Sequence, residues 1–211
     1  MTRLILVRHA SNDWVRTGKL AGRTPDIHLN DEGKRQAAAL GKRLADKKIA
    51  AIYSSPLERA VETAEAVAGH YPDMKIQIED GVAEVDFGQW AGQRLRKLSR
   101  TRLWGVVQSY PSGAQFPQGE TIRAMQMRAV DALDRIASRY HGSVVVVSHA
   151  DVLKAMIAHY VGIHLDLFQR IDIAPASISV IELHRWGPRL VRLNDTCHYD
   201  YTLSPVAQAG E

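Results

Sequence analysis

Arg8 and His9 directly follow the apolar run at residues 4–7, and Ser148 and His149 directly follow four consecutive valines at 144–147. Arg59 stands shortly after a third apolar run, residues 50–53, which ends in Ser54 and Ser55. A solitary histidine is more often a structural hydrogen-bonder than a reactive group, and surface ion pairs need no special position. Two histidines at equivalent ends of two runs far apart in sequence are a narrower coincidence. If each run is a strand of one parallel sheet, both imidazoles and both guanidiniums emerge at its carboxyl edge, where ligands of open α/β sheets gather. The result is a dense cationic pocket. Such a pocket suits a phosphoryl group, because each guanidinium presents a planar pair of N–H donors to its oxygens.

Periodicity supplies the elements that must position these residues. Residues 144–147 are apolar at every position, which implies a strand covered on both faces. Residues 4–7 and 50–53 share that character, and 76–78 form a shorter candidate strand. Between them the pattern turns helical. Asn30 or Asp31 caps a helix running to about residue 47, with Ala37, Leu40, Gly41 and Leu44 on one face. Pro56 suits the first turn of a second helix, in which Leu57, Ala60, Val61, Ala64 and Val67 recur at three and four residues. Arg59 then lies on its first turn. Further helices are expected over about 120–140 and 151–161, and a hairpin over 177–183 and 189–193 around a turn at Trp186, Gly187 and Pro188. Alternating strands and helices predict a layered α/β fold with a largely parallel sheet. A single domain over 1–203 is expected, with 88–119 its least regular stretch and 204–211 a frayed tail.

The 211 residues are 45% apolar and 24% charged, which excludes disorder and collagen-like repeats and allows one sizeable core. A formal charge of +4 is mild. Basic residues gather at 94–102, a run that reads first as a solvated helix face and second as a rim attracting anions. Without interleaved aromatic residues it gives no signal for nucleic acid. Cys197 is the single cysteine, so no internal disulfide is available and a reducing compartment is favoured. The run at 4–7 is too short for a signal peptide, and no stretch reaches the ~18 apolar residues of a membrane span, so a cytoplasmic protein is expected. No His-Glu-x-x-His or Cys-x-x-Cys spacing marks a metal site, and no metal is expected. Dinucleotide-binding glycine motifs, phosphate-binding loops ending in Gly-Lys-Ser/Thr and Gly-x-Ser-x-Gly elbows are also missing. His28, His70, His141, His159, His164, His184 and His198 fall in no motif and are read as surface or structural groups.

Six segments in order carry a family resemblance. "LILVRHASNDW" resembles the Arg-His-Gly signature of the histidine phosphatase superfamily, which includes cofactor-dependent phosphoglycerate mutase. "LNDEGKRQAAALGKRL", "IYSSPLERAVETAEAVA", "EVDFGQWAG", "PQGET" and "VVVVSHADVLKAMI" resemble the segments that follow it in that family. The resemblance implies a three-layer α/β/α fold of the phosphoglycerate mutase type and phosphoryl transfer through a phosphohistidine, and no cofactor is expected. By position, His9 resembles the nucleophile that forms a phosphohistidine, and Arg8, Arg59 and His149 resemble the groups holding the phosphoryl oxygens. Glu84 falls where the family's general acid and base lies. Spacing alone does not distinguish it from Glu79, Asp80 and Asp86.

The sequence also departs from the family pattern. Ala10 replaces a glycine, and Val15 replaces an asparagine that hydrogen-bonds phosphate, a role left to Ser11, Asn12 or Thr24. Ala150 and Asp151 replace a Gly-Gly pair, Asp151 being read as a helix cap. Mutases usually carry a glutamate where Ser11 stands, and a longer insert beyond the acid. The shorter pattern here favours a phosphatase, with Arg94, Arg96, Lys97, Arg100 and Arg102 as candidate rim contacts. Its expected partner is a small phosphorylated substrate, with a phosphoprotein as an alternative; a homodimer is left open, and neither nucleic acid nor membrane is expected. The competing readings are a phosphoglycerate mutase-type transferase and a non-catalytic module that binds a phosphorylated ligand.

Overall fold

Valines 144–147 are fully buried, as a strand covered on both faces requires. A computed structural model describes residues 1–199, and the boundary at 203 and the tail at 204–211 lie outside the described residues. Its sheet comprises β1 (Thr2–Arg8), β2 (Ile49–Ser54), β3 (Ile76–Ile78), β4 (Gly142–Ser148), β5 (Ile178–His184) and β6 (Gly187–Asp195). The strand order is β3-β2-β4-β1-β5-β6. The first four strands run parallel, while β5 and β6 pair antiparallel to their neighbours.

The helices are α1 (Asp13–Arg16), α2 (Asp31–Leu44), α3 (Glu58–Ala68), α4 (Leu95–Leu98), α5 (Arg102–Ser109), α6 (Ile122–Arg139) and α7 (Ala150–Val161). Alternation along the strands divides them between two layers. Ile5, Val7, Val145 and Val147 pack with Leu40 and Leu44 of α2 and Ala60, Ala64 and Val67 of α3. Leu4, Leu6, Val144 and Val146 face the opposite way, toward Met125 and Leu133 of α6 and Val152 and Met156 of α7. This is the expected three-layer α/β/α fold.

Several boundaries differ from the sequence expectation, each for a local reason. Asn30 caps α2 by accepting from Gly33 N at 2.9 Å, but the helix ends at Leu44 rather than near 47. The Tyr71 hydroxyl sits against the carbonyls of Leu44 and Lys47 and takes up the terminal acceptors there. Pro56 precedes α3 instead of opening it. Ser55 N still donates to Val147 O at 2.9 Å, so the chain stays extended past Ser54 and turns helical only at Glu58. Thr121 caps α6, its Oγ1 accepting from Ala124 N at 3.0 Å, while the Glu120 side chain is engaged elsewhere. His149 is the residue ahead of α7, so Asp151 lies within the first turn and caps nothing. The hairpin turns at Arg185 and Trp186, and Pro188 lies inside edge strand β6. The stretch 88–119 holds α4, α5 and two short 3-10 turns.

Gly33 marks one close approach on which the site depends. A Cβ there would lie 1.9 Å from the Ser11 carbonyl oxygen, so glycine lets α2 close on the loop following β1.

Candidate active site

The register of β1 on β4 pairs Arg8 with Ser148, which sets the next residues, His9 and His149, side by side at the carboxyl edge. His9 N donates to Ser148 O at 2.9 Å, and the two ring centroids are 5.1 Å apart. Both rings are buried. His9 Nδ1 is 2.8 Å from the Ala10 carbonyl oxygen, which can only accept, so the proton sits on Nδ1 and Nε2 carries the lone pair. Burial lowers the His9 pKa well below its ordinary value, and the charges of Arg59 and Arg8 lower it further. His149 is pushed down by burial, then by Arg59 and His9. Its Nδ1 lies 3.4 Å from Arg59 Nη2, a donor only, so Nε2–H donates to Ser55 Oγ at 2.7 Å. Two neutral imidazoles therefore stand at the strand ends.

Arg59 reaches them from the first turn of α3 and is wholly buried. Its Nη2 donates to Gly22 O at 2.7 Å, whereas Nε and Nη1 are buried without a hydrogen-bond partner among the described residues. Burying donors of a charged group unpaired is costly, and such groups call for a partner. The Thr63 hydroxyl donates to Arg59 O at 2.7 Å and accepts from Ala10 N at 3.0 Å, fixing α3 against the loop that carries His9. Arg8 donates from Nη1 to Ile173 O at 2.6 Å. Asn12 Oδ1 accepts from the backbone N–H groups of Trp14 and Val15, leaving Nδ2 as another buried donor without a partner among the described residues.

A cavity of about 190 Å³ is lined by Arg8, His9, Asn12, Arg59, Glu84 and Asp151 among others, whereas His149, expected from the resemblance to hold a phosphoryl oxygen, is fully buried behind Arg59 and Ser55 and is not part of the lining. Val15 also lines it. Ser11 and Thr24 are not part of the lining: Ser11 N donates to Gln36 Oε1 at 3.0 Å, and Thr24 N to Ala21 O at 3.1 Å. Of the three residues offered in place of the family's asparagine, only Asn12 brings a spare donor to the cavity. Arg94, Arg96, Lys97, Arg100 and Arg102 are outside the lining; Leu95 alone of that run belongs to it. The backbone at 93–95, where the run begins, packs on the loop at 18–20, Leu95 N donating to Gly18 O at 2.8 Å and Gln93 O accepting from Leu20 N at 2.9 Å.

Glu84 faces the histidines, its Oε2 3.8 Å from His149 Nδ1, with 13% of the side chain exposed. Burial raises its pKa to about 7, reinforced by Asp151 and opposed by Arg59 and Arg8. Its main chain is clamped. Arg128 of α6 donates to the carbonyls of Gly81 and Ala83 at 2.8 Å and of Glu84 at 3.0 Å. Arg23 Nε donates to the same Glu84 carbonyl at 2.8 Å. Both arginines meet Glu120, whose Oε1 also accepts from Asp86 N at 2.8 Å. Burial pushes the Glu120 carboxyl up, but these donors outweigh it and hold it low. Arg128, Arg23, Thr63 and Asp151 are site residues that sequence reasoning missed as such. Glu120 stands in "PQGET", a segment that reads only as a turn; its spacing to Arg128 on the next helix is the signal that was available.

Among the described residues no group of three or more His, Cys, Asp or Glu side chains is placed to hold a metal ion.

A family model, the histidine phosphatase superfamily (branch 1), matches residues 4–196. Phosphoserine phosphatase 1 of Hydrogenobacter thermophilus is 33% identical over 204 residues, covering 94% of each chain. A metal-independent phosphoserine phosphatase of Arabidopsis thaliana is 31% identical over 163 residues, covering 74% of this chain and 67% of its own. Among solved structures, a mutant phosphoserine phosphatase from Entamoeba histolytica in complex with phosphoserine superposes with a TM-score of 0.84. Its sequence identity is 28%, with 94% of this chain and 99% of that chain covered.

Proposed function

The chain belongs to the histidine phosphatase superfamily and is a phosphatase; from that premise we propose that it hydrolyses small phosphomonoesters in two steps through a phosphohistidine on His9. The observation that carries this reading is the pairing of a neutral His9, its Nε2 lone pair available, with a buried Arg59 whose Nε and Nη1 are unpartnered among the described residues.

In the first step His9 Nε2 attacks phosphorus in line, the N–P bond forms and the P–O ester bond breaks. Glu84, protonated, delivers its proton to the departing oxygen. Arg8 and Arg59 hold the equatorial oxygens and offset the charge spread over them, Asn12 Nδ2 supplies the hydrogen bond that the apolar Val15 side chain cannot make, and His149, its Nε2–H on Ser55 Oγ and its Nδ1 toward Arg59, positions that guanidinium. In the second step Glu84, now a carboxylate, takes a proton from water. That oxygen attacks phosphorus, the N–P bond breaks, and inorganic phosphate leaves with His9 neutral again. A pKa of about 7 lets Glu84 serve in both directions near neutral pH. No step requires a metal, in keeping with the name of the Arabidopsis relative.

The relatives' names direct the substrate class to phosphoserine or phosphoglycerate-type monoesters. The cavity supports a small substrate, since about 190 Å³ is below the ~300–1,000 Å³ common for larger organic ligands. The test is phosphate release from phosphoserine, 3-phosphoglycerate and p-nitrophenyl phosphate in excess chelator, by wild type and His9→Ala. Turnover in wild type that is abolished in the variant is expected. Turnover that persists in His9→Ala, or that stops in chelator, overturns the proposal.

A further inference from the structure

The cavity is built for an anion, yet it contains a carboxylate that the two chemical steps leave idle. Arg8 and Arg59 are assigned to the phosphoryl oxygens, His9 to attack and Glu84 to proton transfer. Asp151, in the first turn of α7, lines the same space. Its Oδ1 is 3.4 Å from Lys154 Nζ, an ammonium shared with Gln169 Oε1 at 3.1 Å. A quarter of the Asp151 side chain, 25%, is exposed. Toward a substrate bearing only phosphate and carboxylate groups, Asp151 is repulsive. Toward one that also carries a cation, the same charge is attractive. The lining also includes Lys19, whose ammonium packs 5.0 Å from the Trp14 ring centroid, so residues of both signs border the cavity beyond the phosphate contacts.

We propose that Asp151 is a specificity-determining subsite for a primary ammonium group, so that the preferred substrate is a phosphomonoester carrying one, such as an O-phosphorylated hydroxy-amino acid. The proposal rests on the reading of the cavity as the phosphatase site and adds to it the group that discriminates between substrates. Asp151 accepts N–H donors from the ammonium while the phosphoryl group lies against Arg8 and Arg59. Lys19 supplies positive charge for the carboxylate. A charge-assisted hydrogen bond of this kind is worth roughly one to two powers of ten in kcat/KM.

The test compares O-phospho-L-serine with 3-phosphooxypropanoate, the same skeleton with hydrogen in place of the amino group. Phosphate release is measured at one pH with wild type, Asp151→Asn and Asp151→Ser. Wild type is expected to prefer phosphoserine by about tenfold or more in kcat/KM. Both variants are expected to lose that preference, with kcat/KM for phosphoserine falling and that for phosphooxypropanoate rising as the repulsion is removed. Because Asp151 also raises the Glu84 pKa, a change in acidity is common to both substrates and leaves the ratio in place. A ratio unchanged by the substitutions, a parallel fall on both substrates, or a wild type indifferent to the amino group overturns the subsite. Failure of wild type to hydrolyse either compound, while p-nitrophenyl phosphate is turned over, overturns the substrate class itself.

Discussion

Glu84 and His9 must hold opposite protonation states in one cavity, a carboxyl that keeps its proton beside an imidazole that has lost one. Burial drives both, because each group is charged in the form that burial disfavours. The arginines then act selectively: they reinforce the neutral state of His9 but work against that of Glu84, and Asp151 offsets part of the latter. Two outcomes follow for Glu84→Gln. Its kcat/KM should fall most for alkyl phosphates and least for p-nitrophenyl phosphate, whose leaving group needs no proton; equal losses would mean that another group is the acid. Stability should move the other way. The folded-state pKa of about 7 lies above the ordinary 4.5, so the native protein binds the extra proton and loses stability as pH rises through that window. At pH 8 the variant should be more stable than wild type by up to about 3 kcal/mol, read from denaturant unfolding, and indistinguishable below about pH 4. Glu84 was also the residue least visible in the sequence. It lies in non-periodic chain near three other acids, and only its family position singled it out, whereas His9 and His149 announced themselves by following buried strands.

Elements supply the precision that single residues lack. The parallel register of β1 on β4 brings the two histidines together; their shared edge was legible, because runs of four apolar residues mark buried parallel strands, but the pairing and register were not. The antiparallel β5 beside β1 was not, since a hairpin pattern does not say which strand it joins. The start of α3 differed because the backbone had another bond to make: Ser55 stayed on the sheet and displaced it to Glu58. Arg128 was invisible for a related reason. Its partners include three main-chain carbonyls, which leave no trace in side-chain pattern. The clamp predicts that Arg128→Met loses kcat/KM by roughly tenfold or more on alkyl phosphates and much less on p-nitrophenyl phosphate, mirroring Glu84→Gln. A uniform loss on both substrates would assign Arg128 to general stability. In the sheet itself, Leu6→Ala should cost about 2–5 kcal/mol in denaturant unfolding, because Leu6 is fully buried between layers that cannot collapse freely.

Across the whole molecule, the formal charge of +4 does not mark where the cavity lies. The charged side chains of the basic run at 94–102 lie outside the cavity, and the arginines that line it are Arg8 at the end of β1 and Arg59 at the start of α3. No helix among the described residues is long and apolar enough to cross a membrane. What the fold delivers is one small cavity where His9, backed by His149, meets two arginines and an acid held by its own main chain. The phosphohistidine is the claim on which the rest depends, and Glu84→Gln exposes it most directly. With p-nitrophenyl phosphate the first step needs no proton and the second needs the missing base, so rapid mixing should release one p-nitrophenol per enzyme before slow turnover. The quenched protein should then carry one alkali-stable, acid-labile phosphate, mapped to His9. Turnover without a burst, with no phosphate on His9 or with phosphate on another residue, would contradict it.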